Sequence, residues 1–108
     1  MDPHRRAELR SLVYHRQIAA RLANEPDLII RARQRVSGWL AAGSVAPAEA
    51  EAWAEVLAAD ATSIAVLLSE DSEHARALRQ SSPFAGALTA AERWRLWRET
   101  QSPVEAGR

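Results

Sequence analysis

Pro26-Asp27-Leu28-Ile29-Ile30-Arg31-Ala32-Arg33-Gln34-Arg35-Val36-Ser37-Gly38-Trp39-Leu40-Ala41-Ala42-Gly43 reads as one amphipathic helix with both of its punctuation marks in place. Ile29, Ala32, Val36, Trp39 and Leu40 recur at intervals of three and four, the period of a single helical face. Pro26 suits the first turn, where a missing N–H removes no helical bond. Gly43 stands where a left-handed cap belongs.

The same punctuation recurs on either side. Upstream, Asn24-Glu25-Pro26 breaks a first helix expected from about Arg5 to Ala23, with Leu9, Leu12, Val13, Ile18 and Leu22 as its apolar members. Downstream, Pro47 opens a third helix carrying Ala50, Trp53, Val56 and Leu57, with Glu49 and Glu51 in its early turns where the dipole favours acids. Asp60 is placed to cap a fourth helix bearing Ile64, Leu67 and Leu68. A fifth begins among Ser69-Glu70-Asp71-Ser72 and ends near Gln80, with Arg76 and Arg79 complementing the dipole at its end. Ser81-Ser82-Pro83-Phe84-Ala85-Gly86 is a loop, pinned to the core by Phe84. Thr89 and Glu92 form a capping-box signature for a sixth helix, expected to fray at Ser102-Pro103. Connections this short favour antiparallel neighbours. The expected class is all-α, a compact bundle of five to six helices, with residues 1–108 as one domain.

Composition narrows the chemistry. Apolar residues make up 47% and charged residues 26% of 108 residues, ordinary values for a globular chain. There is no cysteine, which excludes disulfides, thiolate metal sites and thiol nucleophiles. No window approaches the roughly 20 apolar residues of a membrane span, and no uninterrupted apolar run follows the N-terminus as in a secretory signal. A cytoplasmic location is expected. All fourteen cationic side chains are arginine, which fits a GC-rich coding bias.

Charge is unevenly spread although the net is zero. Residues 1–43 hold eight arginines against four acids, residues 44–75 hold seven acids and no arginine, and residues 76–108 hold six arginines against three acids. Either the acidic middle neutralises the basic ends by packing beside them, or a charged face survives folding and steers a partner of opposite sign.

Few side chains suggest chemistry. Arg10-Ser11-Leu12-Val13-Tyr14-His15 matches the arginine-to-histidine spacing of HEPN-type ribonucleases, themselves small helical bundles. That resemblance implies an arginine stabilising phosphorane charge and a histidine moving a proton. Five positions, however, turn Arg10 and His15 about 140° apart on one helix. His74 stands beside Glu70, Asp71 and Glu73, yet no pair of good ligands shares a helical face, and neither metal nor cofactor is expected. Arg21, Arg31, Arg33 and Arg35 could touch phosphates, but every-second-residue spacing spreads the last three around their helix. The segment from Val36 to Leu57 has helix–turn–helix spacing, although Glu49, Glu51 and Glu55 would face an anionic groove. DNA binding is not expected from this chain alone. No phosphate loop, nucleophile elbow or other nucleophile context is present.

Four tryptophans remain. Trp39 and Trp53 lie on apolar stripes and read as core. Trp94 and Trp97 share one face of the last helix, beside Arg93, Arg95 and Arg98, and both residue types are enriched at interface hot spots. With Phe84 from the preceding loop, these residues form the candidate partner-binding set. The run from Ala75 to Glu99, with its Ser82-Pro83-Phe84-Ala85-Gly86 loop and Trp94-Arg95-Leu96-Trp97-Arg98, resembles small helical proteins of GC-rich bacteria. His15-Arg16-Gln17-Ile18-Ala19-Ala20-Arg21-Leu22 resembles their N-terminal part. Such proteins are similar to the antitoxin partner of two-gene toxin–antitoxin modules, sometimes fused to a helix–turn–helix domain. The resemblance implies one protein partner, a toxin encoded nearby. The expected function is therefore a non-catalytic interaction module, an antitoxin or adaptor. The alternatives are a HEPN-like ribonuclease using Arg10 and His15, or a structural homo-oligomer.

Overall fold

The computed structural model describes the backbone of residues 2–106 and the side chains of residues 2–100. Six helices follow in order: α1 (Pro3–Arg21), α2 (Asp27–Ala42), α3 (Pro47–Leu57), α4 (Ala61–Ser69), α5 (Glu73–Arg79) and α6 (Ala90–Ala106). No strand occurs among the described residues, and the architecture is an all-α globule. No described helix is long and apolar enough to cross a membrane.

The helix boundaries follow the local chemistry. Gly43 closes α2 with φ +66°, a left-handed conformation that a Cβ would strain. The Asp60 carboxylate accepts the Ser63 N–H at 2.8 Å, and that bond holds its pKa below the usual carboxylate value. Ser72 accepts from the Ala75 N–H at 3.1 Å and starts α5. Thr89 and Glu92 form the reciprocal box: the Glu92 N–H donates to Thr89 Oγ1 at 3.0 Å, and the Thr89 N–H donates to Glu92 Oε1 at 2.9 Å. Thr89→Ala should cost about 1 kcal/mol, lowering the thermal midpoint by roughly 4–8 °C. Calorimetry checks this; an unchanged midpoint would mean the box contributes nothing. The end of α6 departs from expectation, since the helix continues past Ser102-Pro103 to Ala106. Pro103 removes one ladder bond and crowds the carbonyl four residues before it, yet the backbone stays helical through it.

Trp53 sits at the centre of the core, with no exposed surface. Around it pack Ile18 and Leu22 from α1, Leu28, Ile29, Ala32 and Val36 from α2, Leu57 from α3, Ile64 and Leu68 from α4, and Leu78 from α5. Phe84 and Leu88 complete the cluster from the α5–α6 loop. Phe84 meets Trp53 edge-on, with centroids 6.2 Å apart and planes at 68°. Trp39 is half-buried against this cluster. The α2–α3 hairpin pairs neighbours in sequence, as short connections suggest, whereas α1 packs on α4, α5 and α6.

The charge map resolves in an unexpected way. Among the described residues, no acid of the 44–75 segment lies in an ion pair with an arginine. Helices α3 and α4 carry no basic residue in their own last turns. Arginines from elsewhere supply that charge to their terminal carbonyls instead. Arg33 Nε donates to the Leu57 carbonyl at 2.7 Å, Arg16 Nε to that of Ser69 at 3.2 Å, and Arg79 Nη1 to that of Glu70 at 2.7 Å. The basic segments therefore cap the helix dipoles of the middle segment and leave Glu51 and Glu55 of α3 exposed.

Candidate functional site

Helix α6 is the least buried of the six, with no fully buried residue between Ala90 and Thr100. Two polar clamps hold it to α1. At its start the Glu92 carboxylate pairs with the Arg21 guanidinium, and that contact, with the Thr89 amide, holds the carboxyl at about 2. Further along, the Arg10 guanidinium lies over the Trp97 ring, 5.5 Å from its centroid. Since Arg21 meets Glu92 and Arg10 meets Trp97, the two helices run antiparallel. Leu96 and Trp97 fill the seam as half-buried residues.

The outer face carries the rest of the candidate set. Trp94 is 63% exposed, the most exposed large apolar side chain among the described residues. Arg98 lies over its ring at 5.9 Å, and Arg95 pairs loosely with Glu99 at 3.9 Å. Arg93 is tied down, its Nη1 donating to the Leu88 carbonyl at 2.9 Å. Trp94, Arg95 and Arg98 thus share one outward surface, with Trp97 at its inner edge. Phe84 does not join them. It is 4% exposed, so its ring serves the loop anchor alone and offers no surface to a partner.

The structure separates Arg10 from His15. Arg10 is exposed on the α6 seam, whereas His15 is 7% exposed on the Leu12, Ile18 and Leu22 stripe of α1. His15 Nδ1 lies 2.7 Å from the Ser11 carbonyl, which can only accept, so Nδ1 carries the proton. Nε2 is then an acceptor and takes the Ser82 hydroxyl at 2.7 Å. Ser82 Oγ in turn accepts the Phe84 N–H at 3.2 Å. Desolvation is the main cause that lowers the His15 pKa to about 4, and the Arg79 charge adds to it.

The Ser82–His15–Ser11 carbonyl arrangement has the connectivity of an activated nucleophile, and no sequence pattern marks it because 67 positions separate the serine from the histidine. A base of pKa about 4 is a poor proton acceptor at neutral pH, and the cleft beside it measures about 110 Å³. Structurally, the pair fastens the α5–α6 loop, and so the start of α6, to α1.

No family model matches the chain, and neither a curated protein nor a solved structure does.

The remaining candidates are accounted for by contacts. Arg31 pairs with Asp27 at 2.7 Å, and Arg35 Nη1 donates to the Ala85 carbonyl at 2.6 Å. Arg31 and Arg35 line one cleft beside Phe84, whereas Arg21 is engaged at the α6 seam and Arg33 at the end of α3. His74 is exposed, and no three metal-ligating side chains converge among the described residues.

Proposed function

We propose that the protein is a non-catalytic binding module that docks one acidic protein partner on the outer face of α6, in the manner of a toxin-neutralising antitoxin or an adaptor. The observation that carries this reading is Trp94. A tryptophan left 63% exposed, with Arg98 stacked on it, sits on a helix already held from behind by two clamps. The helix that carries it is already ordered, so docking costs no folding of the backbone there. Arg95 and Arg98 give the face a positive sign, which favours a partner rich in Asp and Glu. Tryptophan and arginine are also the residue types that dominate interface energetics.

The test starts from co-expression with the neighbouring gene and ends in titration calorimetry of the purified pair. Trp94→Ala should lose about 2 kcal/mol of binding, a roughly 30-fold weaker Kd. Arg98→Glu should slow association in low salt. Both variants should keep the parent circular dichroism, because neither side chain is buried. Undiminished affinity in Trp94→Ala would remove this face from the interface.

A further inference from the structure

A second site lies between α1 and α5. His4, Ala7, Glu8 and Ser11 on α1 face Arg76, Arg79 and Gln80 across a cleft of about 430 Å³. Arg79 is 5% exposed, and its single satisfied nitrogen is Nη1, which caps the end of α4 at the Glu70 and Leu68 carbonyls. Nε and Nη2 are buried and have no hydrogen-bond partner among the described residues. Those two atoms are not arbitrary. The Nε–H and the adjacent Nη2–H point the same way and form the side edge of the guanidinium, the edge that takes both oxygens of a carboxylate in parallel.

We propose that this cleft binds a small monocarboxylate, held side-on by Nε and Nη2 of Arg79 with Arg76 at the mouth. Donor geometry sets the ligand. The lining holds the cations Arg76 and Arg79 and the anion Glu8, while Asp71 and Glu70 act on Arg79 from beyond it, so the two parallel N–H groups, not a net charge, select a carboxylate. Glu8 is poorly placed to serve as that carboxylate, since its contact with Arg76 Nε is 3.8 Å and it also lies 3.5 Å from His4 Nε2. Arg79 is fixed by its α4 carbonyls, so the fork is oriented before any ligand arrives. Its side edge is covered, so a carboxylate reaches it only by displacing lining side chains, among which His4 and Gln80 are long and exposed.

Arginine Nε–H resonances of the ¹⁵N-labelled protein report this directly. Sodium acetate, titrated against sodium chloride at matched ionic strength, should move the Arg79 Nε–H signal downfield to saturation, with chloride producing no saturable change. Arg76→Gln, at a partly exposed position, should raise the acetate midpoint about two- to fivefold. Glu8→Gln should lower it, by removing the carboxylate that competes for Arg76. Arg79→Lys should abolish the response, because an ammonium cannot present two parallel donors; should that variant fail to fold, Arg76→Gln and Glu8→Gln carry the test. A linear response, an equal response to chloride, or a midpoint indifferent to both variants would overturn the site. Tighter binding of inorganic phosphate than of acetate would overturn its assignment to a monocarboxylate.

Discussion

Trp53→Ala is expected to remove about 3–5 kcal/mol of stability, a large share of the roughly 5–15 kcal/mol a domain possesses. Three losses coincide at this position. The indole is wholly buried and touches clusters from every side of the core, so its removal leaves a cavity that the helices cannot fully close. Its Nε1–H donates to the Leu78 carbonyl at 3.0 Å, and the alanine removes that bond, leaving the carbonyl to the weaker backbone contact of the Ser81 N–H at 3.2 Å. The edge contact with Phe84 also disappears, freeing the loop that positions α6. Trp53→Phe separates these effects, since it keeps most of the volume and forfeits the hydrogen bond, and should cost about 1–3 kcal/mol. Urea unfolding of the three proteins gives the ranking. A Trp53→Ala protein within about 1 kcal/mol of the parent would mean that the core is organised elsewhere.

Mild acid should weaken the protein through His15. The folded state lowers this pKa from 6.5 to about 4, so the unfolded chain takes up a proton more readily than the native one. Above pH 6.5 both states hold a neutral imidazole and stability is at its full value. As pH falls from 6.5 towards 4 the unfolded state is progressively favoured, by about 3 kcal/mol in total. The neutral ring is demanded by its partners. Nδ1 already donates to the Ser11 carbonyl, and a proton on Nε2 would face the Ser82 hydroxyl, which must then reverse its donation. Urea midpoints measured from pH 7.5 to 4.5 should fall steeply for the parent and more gently for His15→Leu. Parallel slopes would place the acid sensitivity outside this residue.

What the sequence made legible was local. Gly43, Asp60 and the Thr89–Glu92 box act at the ends they were expected to mark, because a cap needs only residues within one turn of itself. Trp53 could be placed in the core from its stripe alone. The position of His15 was also available in principle, since it shares the three- and four-residue spacing of Leu12, Ile18 and Leu22, which marks a buried face. Its partner was not. Ser82 reaches it from a loop far along the chain, and no periodicity encodes such a meeting.

The arginines show the same limit. Arg79 was expected to serve the dipole of its own helix, but it crosses to the carbonyls of α4. Arg33 and Arg16 likewise cap helices to which they do not belong. A count of charges along the chain anticipates ion pairs between oppositely charged segments, whereas the guanidinium groups that reach the acidic middle segment go to its backbone carbonyls. Packing decides which acceptor lies within reach, and α1 lying against α4 instead of its sequence neighbour was not readable from connection length. For the candidate interface, sequence spacing brought Trp94 and Trp97 to one side of α6. Only the fold distinguishes the outward ring from the one clamped under Arg10 and withdraws Phe84 into the core.

Hydrogen exchange of the purified complex, compared with the free protein, tests the docking face most directly. Slower exchange of the α6 amides around Trp94–Arg98 is expected, with the amides flanking the exposed Glu51 and Glu55 of α3 unchanged. Protection confined to α3, with α6 exchanging as fast as in the free chain, would contradict the assignment of this tryptophan–arginine surface to a partner.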